Sequence, residues 1–211
     1  MRLGVLVSGG GTNLQAVLDA VAAGWLAAEV ALVLSDRPGV KALDRAAAAG
    51  VPTAVVRVRD YTDRHAYSDA VLAELVAHQV DLVVLAGYLK ILVGPIMHRY
   101  QHRMINTHPA LLPSFGGPGM YGLAVHQAVL DHGCKVSGCT VHFVDERVDG
   151  GPILAQVAVP VRDDDTAESL QQRILPREHA LLVDVIGWLA AGRVSVHGRR
   201  VAVAAQEASE A

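Results

Sequence analysis

The sequence lacks the cysteine content of a protein held together by disulfide bonds. Only two of its 211 residues are cysteine, and only 4% are aromatic. Cys134 and Cys139 are too far apart for a CxxC redox pair, and a disulfide scaffold needs more cysteines than these. We therefore expect two reduced thiols in or near a strand.

Positive charge and long apolar runs are equally scarce. Lys and Arg number 18 against 21 Asp and Glu, a net charge of −3, so nothing indicates nucleic acid as a partner. The longest apolar runs, such as DLVVLAGYLKILVG, contain a charge and are too short to cross a bilayer. The first residues lack the apolar stretch of a signal peptide. These features favour a cytoplasmic protein with no membrane partner.

Apolar residues in short runs are abundant. The composition, 52% hydrophobic and 18% charged, indicates a globular protein. In the first half of the chain, apolar strands alternate with amphipathic helices. This pattern predicts a doubly wound α/β fold, with a mostly parallel sheet and helices on both faces. We expect one domain over residues 1–195, with halves 1–100 and 101–195, and a C-terminal hairpin strand and tail over 196–211.

A glycine-rich loop, SGGGTN, joins the first predicted strand to the first predicted helix. Glycines let a backbone approach a ligand closely, and the amides of Gly11, Thr12 and Asn13 would lie at a helix N-terminus, aimed at an anion. No Gly-Lys-Ser/Thr follows, as a Walker loop requires, and the dinucleotide fingerprint is incomplete. The loop predicts a phosphate site. The structural alternative is a tight turn with Thr12 as N-cap.

The stretch MINTHPALLP, residues 104–113, ends an apolar strand with two polar side chains. In a strand, Asn106 and His108 point the same way, whereas Thr107 points to the other face. Ligands of doubly wound folds lie at the carboxyl ends of the strands. An amide and an imidazole there can hold a carbonyl oxygen and stabilise the negative charge that develops on attack. The structural alternative is a turn in which Asn106 caps the loop and His108 fills space before Pro109.

A second group of polar residues lies in HFVDERVDGGP, residues 142–152. A carboxylate near His108 would raise the pKa of the imidazole and fix its tautomer. DGG is also a turn signal, and sequence alone does not show which groups meet. The histidines are spread over separate segments, and HxxxH at 98–102 lacks the Glu of the metalloprotease motif. We therefore expect no metal site.

Several segments together resemble the folate-dependent formyltransferases. They are VLVSGGGTNLQA, DLVVLAGYLKIL, INTHPALLPSF, TVHFVDERVDGGPI and REHALLVDVIGWLAAGRV. INTHPALLP is shared across that family, which includes methionyl-tRNA formyltransferases and formyltetrahydrofolate deformylases. SGGGTN resembles the phosphate loop of the members that act on glycinamide ribonucleotide. The deformylases usually carry a regulatory domain before this fold and the tRNA enzymes a domain after it, and we expect neither here.

The resemblance implies a catalytic group made of Asn106, His108 and Asp149, with Asp149 rather than Asp145 in the matching place of the VDGG turn. The implied reaction moves the formyl group of 10-formyltetrahydrofolate to the amine of 5-phosphoribosylglycinamide (GAR). Its products are formyl-GAR and tetrahydrofolate, in purine biosynthesis. Asn106 and His108 would stabilise the oxyanion, and Asp149 would assist proton relay. The folate is a co-substrate, and no bound cofactor is expected.

The resemblance also implies which residues bind the two substrates. Phosphate and nucleotide binding would fall to the half 1–100, and catalysis and folate binding to the half 101–195. The residues that match GAR-binding positions are Gly11, Thr12, Asn13 and Glu178. The residues that match folate-binding positions are Arg64, Leu89, Lys90, Ile91, Leu92, Asn106, Asp145, Glu146, Arg147 and Val148.

Two other functions stay open at this point. A formyltetrahydrofolate deformylase would use the same residues to transfer the formyl group to water. A non-catalytic phosphate-binding module would keep the glycine loop, with Asn106 and His108 as structural residues. In each case the partners are small molecules, and the chain is a monomer or a homodimer.

Overall fold

The computed structural model describes residues 1–205, in which strands and helices alternate as far as β6. The strands are β1 Arg2–Val7, β2 Glu29–Ser35, β3 Thr53–Val55, β4 Leu82–Leu85, β5 Met104–His108, β6 Val136–Phe143, β7 Ile153–Pro160, β8 Val194–His197 and β9 Arg200–Val203. The helices are α1 Thr12–Ala22, α2 Lys41–Ala48, α3 Arg64–Ala77, α4 Pro95–Arg99, α5 Leu123–Asp131 and α6 Ala167–Ala190, with a 3-10 turn at Val58–Asp60.

The first seven strands form one sheet in the order β3-β2-β1-β4-β5-β6-β7. Strands β1 to β5 run parallel, whereas β6 is antiparallel to β5 and β7 is antiparallel to β6. The last two strands pair as a separate hairpin. The prediction of a mostly parallel α/β sheet is therefore confirmed.

Helices cover both faces of this sheet. The core on one face includes residues of α1, α2, α5 and α6, and the core on the other includes residues of α3 and α4. Neighbouring strand residues serve opposite cores because side chains alternate, as Val5 and Leu6 do in β1. A Cβ at Gly4 would lie 2.6 Å from Leu75 Cδ2, so the glycine lets α3 pack directly on β1.

Two local features differ from the expectations. The sequence pattern predicts a third strand over PTAVVRV, residues 52–58, but the strand covers only Thr53–Val55, because it lies at the sheet edge and its side chains are largely exposed. The N-cap of α1 is Gly11 in the left-handed conformation (φ 70°), not Thr12. Glycine adopts this conformation without the steric cost that a Cβ brings.

The second half of the chain completes the sheet and adds the longest helix. Thr166 caps α6 in a reciprocal pair of hydrogen bonds with Ser169, and the helix runs through Pro176 without interruption. The hairpin of β8 and β9 begins at Val194, so the expected boundary at 195/196 falls inside β8. The expected frayed tail lies outside the described residues from residue 206 onward. None of the helices in residues 1–205 is long and apolar enough to cross a bilayer.

Candidate active site

Strands β4, β5 and β6 and helix α6 surround a cavity of about 520 Å³. The cavity lies at the carboxyl end of β5, where Asn106 and His108 both line it. Thr107 also lines the cavity, and its hydroxyl donates a hydrogen bond to Glu178 of α6 at 3.1 Å. A doubly wound sheet with polar side chains converging at a strand end is the usual architecture of a ligand site in this fold class.

The Asn106 amide is oriented by a histidine on the neighbouring strand. Asn106 and His142 are partners in the register of β5 and β6. His142 Nδ1 lies 2.8 Å from the Phe143 carbonyl oxygen, which only accepts hydrogen bonds, so Nδ1 carries the ring proton. His142 Nε2 therefore accepts from Asn106 Nδ2 at 3.2 Å. One N–H of the amide is held in this way, and the other is not used by His142.

Asp149 lies between two imidazoles. Its Oδ2 is 3.7 Å from His108 Nδ1, and its Oδ1 is 3.7 Å from His142 Nε2. The Gly117 amide donates to Oδ2 at 2.8 Å. The backbone of Asp149 is in the left-handed region, with φ 54°, which Asp tolerates better than most residues. The DGG turn thus brings together Asp149 and His108, which sequence alone could not show to meet.

Gly116, in the loop after β5, makes this approach of Asp149 possible. A Cβ at Gly116 would lie 2.6 Å from Leu112 Cδ2 and 3.2 Å from Asp149 Cβ. The segment 114–122 has no helix or strand, as its Gly and Pro content predicts. Its backbone therefore closes over the carboxylate at a distance that larger residues would prevent.

Burial controls the charge of Asp149 and His108 in different ways. Burial alone would raise the pKa of Asp149, but a hydrogen bond from the His142 imidazole in its protonated form, the Gly117 amide, and the positive charge that His108 and His142 carry when protonated together hold that pKa below its usual value. Burial lowers the pKa of His108, and neither Asp149 nor the Phe115 carbonyl, which both act to raise it, offsets this. Asp149 thus acts to raise the His108 pKa, as expected, but the net shift is downward because the residue is only 3% exposed.

The ring nitrogens of His108 both face protein groups. His108 Nε2 donates to the Phe115 carbonyl oxygen at 2.8 Å, so in the neutral ring Nδ1 is the unprotonated nitrogen that faces Asp149. For Nε2 to donate to another group in the cavity, it must release Phe115. The loop that carries Phe115 is therefore part of the site.

A buried carboxylate connects the glycine loop to β5. Glu178 Oε1 accepts from Asn13 Nδ2 at 2.8 Å and from Thr107. Burial raises the pKa of Glu178, although both hydrogen bonds oppose this. Asn13 and Glu178 line the cavity, and Gly11 and Thr12 precede Asn13 at its edge without belonging to the lining. The predicted phosphate loop thus opens beside the cavity that holds Asn106 and His108.

The predicted folate-binding residues line the same cavity, with one exception. The lining includes Leu89, Lys90, Ile91, Leu92, Asp145, Glu146, Arg147 and Val148. Arg64 instead lines an adjoining cavity of about 420 Å³, which shares the segment 89–91 with the first. Lys90 Nζ lies 3.6 Å from Asp36 Oδ2, so its charge is partly met by a buried carboxylate.

Sequence reasoning named His142 as a candidate but did not assign it to the site. Its role depends on the register of β5 against β6, and no spacing within either strand reveals that register. Both cysteines are free, with Cys139 buried in β6 and Cys134 just before it. Within residues 1–205, no group of three or more His, Cys, Asp or Glu side chains is arranged to hold a metal ion.

Fold and site together define a class, that of α/β proteins with a phosphate-type glycine loop beside an amide–imidazole–carboxylate group at a strand end. Residues 1–186 match the family model described as formyl transferase. A phosphoribosylglycinamide formyltransferase of Mycobacterium tuberculosis is 46% identical over 198 residues, which cover 94% of this chain and 89% of that protein. The chain belongs to the formyl transferase family.

Solved structures and longer relatives agree with this assignment. Glycinamide ribonucleotide transformylase 1 from Symbiobacterium toebii matches with a TM-score of 0.91 and 45% identity, covering 96% of this chain and 93% of that one. The trifunctional purine biosynthetic protein adenosine-3 of Drosophila melanogaster is 45% identical over 180 residues, or 84% of this chain. The chain spans only 13% of the length of that protein.

Proposed function

We propose that this protein transfers the formyl group of 10-formyltetrahydrofolate to the amine of GAR, giving formyl-GAR and tetrahydrofolate in purine biosynthesis. One observation carries the proposal. A single cavity is lined by Asn13 and Glu178, by Asn106, His108 and Asp149, and by the segment 89–92. GAR held by the first of these groups and folate held by the last would both lie within reach of Asn106, His108 and Asp149. The named relatives and membership of the formyl transferase family support the choice of substrates.

The GAR phosphate is proposed to bind the backbone amides of Gly11, Thr12 and Asn13, and its ribose to bind Glu178. The tetrahydrofolate is proposed to lie against the folate-binding residues predicted from the sequence, with Arg64 contacting it from the adjoining cavity. Together these contacts hold the GAR amine about 3 Å from the formyl carbon, and such positioning provides a large part of a rate acceleration.

Attack by the neutral amine forms a nitrogen–carbon bond and leaves an oxyanion on the former formyl oxygen. The second N–H of Asn106 Nδ2, which His142 does not hold, is proposed to donate to that oxyanion. His108 provides the second donor through Nε2, once this atom releases the Phe115 carbonyl. Hydrogen-bond donors often become well placed only when substrate is bound. One such donor is worth roughly 3 kcal/mol of activation free energy.

Collapse of the intermediate breaks the bond between the formyl carbon and N10. The amine loses one proton and N10 gains one, so no net proton is released. We assign this relay to Asp149, acting through water, because its low pKa keeps it ionised and able to accept the proton. His108 faces the same carboxylate, so the charge of either group affects the other. The folate acts as co-substrate, and no bound cofactor takes part in the proposed reaction.

Two broader expectations belong to the same proposal. The enzyme acts in the cytoplasm, and it acts as a monomer or a homodimer.

The test is to supply 10-formyltetrahydrofolate with and without GAR and to follow the appearance of tetrahydrofolate. Release that requires GAR is the expected result. Release at the same rate without GAR would identify a deformylase. No release in either case, with phosphate binding intact, would leave a non-catalytic phosphate-binding module.

A further inference from the structure

The carbonyl oxygens of the three loop glycines all accept hydrogen bonds. The carbonyl oxygen of Gly9 accepts from the Ala42 amide of α2 at 3.1 Å, and that of Gly11 accepts from the Gln15 amide of α1 at 2.9 Å. The carbonyl oxygen of Gly10, between them, accepts from Arg45 Nε at 2.9 Å. The middle carbonyl is thus held by a side chain, whereas its neighbours are held by backbone.

These bonds fix the direction of the amides that follow. In a planar trans peptide the N–H points opposite to the C=O of the same unit. The amides of Gly10 and Gly11 therefore point away from α2, and the amide of Thr12 points out of the N-terminal end of α1. None of these three amides donates to another group in residues 1–205. Consecutive unpaired amides of this kind form an anion-binding concavity.

Arg45 forms hydrogen bonds both to the loop and to the helix that follows it. Its Nη1 donates to Gln15 Oε1 at 2.9 Å, in the first turn of α1, while its Nε holds Gly10. Gly11 lies directly against α2, where an added Cβ would be 2.7 Å from Ala42 Cβ. The Arg45 side chain thus connects α2 to both the glycine loop and the first turn of α1.

The charge of Arg45 is not neutralised by a neighbouring carboxylate in the described part of the chain. Within residues 1–205, no carboxylate oxygen lies within 4.0 Å of its guanidinium. A guanidinium behind two peptide units adds positive potential on the side where their amides point.

We propose that Arg45 is the positioning residue of the phosphate site: it aims the Gly11 amide and adds positive potential from behind the loop. This assignment rests on the proposed function, in which that loop binds the GAR phosphate. In this proposal Arg45 acts through the loop and not by direct contact with the phosphate. The effect should be specific to GAR, because Arg45 hydrogen-bonds to Gly10 and Gln15 and to none of the residues proposed to bind the folate.

The kinetic test compares Arg45→Met with Arg45→Lys. Arg45→Met should raise the KM for GAR about tenfold or more, the loss of a charge-assisted hydrogen bond, and leave the KM for 10-formyltetrahydrofolate within about twofold. Arg45→Lys keeps the charge but cannot hold Gly10 and Gln15 together, so it should fall between Arg45→Met and the wild type. Arg2→Met is the matched control, because Arg2 bonds to Glu29 and to the His78 carbonyl away from the loop. It should change neither KM.

The binding test separates this proposal from the proposed function. The amide NMR signals of Gly10, Gly11 and Thr12 are followed while inorganic phosphate is added to the whole protein. Wild type should show saturable shifts of these signals, and Arg45→Met should need about tenfold more phosphate or more. If wild type binds phosphate in this way but transfers no formyl group, the proposed function fails and the role of Arg45 stands. If Arg45→Met binds phosphate like wild type, or raises both KM values equally, the role of Arg45 is refuted.

Discussion

The glycine loop and the catalytic centre (Asn106, His108 and Asp149) offer a ligand different kinds of groups. The glycine loop offers backbone amides, is largely exposed, and takes its shape from consecutive residues beside α2. The centre offers the side chains of Asn106, His108 and Asp149, which come from separate segments and are mostly buried. The loop suits binding, since its amides present the same geometry throughout the reaction. The centre suits the transition state, since its donors and charges can change during the reaction.

This contrast makes kinetic predictions, of which the largest concerns Asn106. Asn106→Ala removes the donor proposed to stabilise the oxyanion, so kcat should fall roughly 10²- to 10³-fold. The KM for GAR should change little, and the KM for the folate, which Asn106 is also proposed to contact, should rise far less than kcat falls. The control is Gln101→Ala, which removes an exposed amide outside the cavity lining. A fall in affinity for GAR with kcat unchanged would move Asn106 from the catalytic group to the binding group.

Asp149→Asn tests the carboxylate with little change in volume. The variant retains an oxygen that can accept from Gly117 but loses the negative charge beside His108, so kcat should fall about 100-fold. Asp163→Asn serves as control, because Asp163 forms an exposed ion pair with Lys135. Turnover close to wild type for Asp149→Asn, with the fold intact, would show that Asp149 does not relay the proton.

Gly11→Ala tests the loop and should give the opposite kinetic pattern. The new Cβ would lie 2.7 Å from Ala42 Cβ, so the loop must shift, and the KM for GAR should rise about tenfold while the folate KM changes little. Gly24→Ala is a matched control, because Gly24 has the same type of backbone (φ 74°) with open space around it. Equal increases in the two KM values for Gly11→Ala would contradict the phosphate assignment.

The smallest predicted effect is on stability and concerns only the centre. Because burial lowers the pKa of His108 below 6.5, the unfolded chain binds the proton more readily, and stability falls as pH decreases below 6.5. The free energy of unfolding should fall by at most about 1.4 kcal/mol per pH unit from this group. Above the pKa of the unfolded chain the stability is fully present. Denaturant unfolding between pH 7 and 5 should show a shallower dependence for His108→Gln than for wild type. Equal dependences would contradict the lowered pKa.

The same contrast explains what sequence could predict. The strands, the glycine loop and the common direction of Asn106 and His108 follow from local patterns. The preference for Asp149 over Asp145 came from family resemblance, because it depends on a turn that bends the chain back over β5. The contact of His142 with Asn106 depends on the register of β5 against β6, which neither strand's sequence reveals. The hydrogen bond from Arg45 to Gly10 likewise depends on where α2 packs. The net direction of the His108 pKa required knowledge of how deeply the side chain is buried.

The most direct test of direct formyl transfer is a single turnover with 10-formyltetrahydrofolate labelled with ¹³C in the formyl group. Enzyme, labelled folate and GAR are mixed with enzyme in excess, and the label is followed by NMR. The proposed function predicts that the label passes to the GAR amine with no labelled formate at any time. Labelled formate that appears before formyl-GAR, or in place of it, would contradict direct transfer.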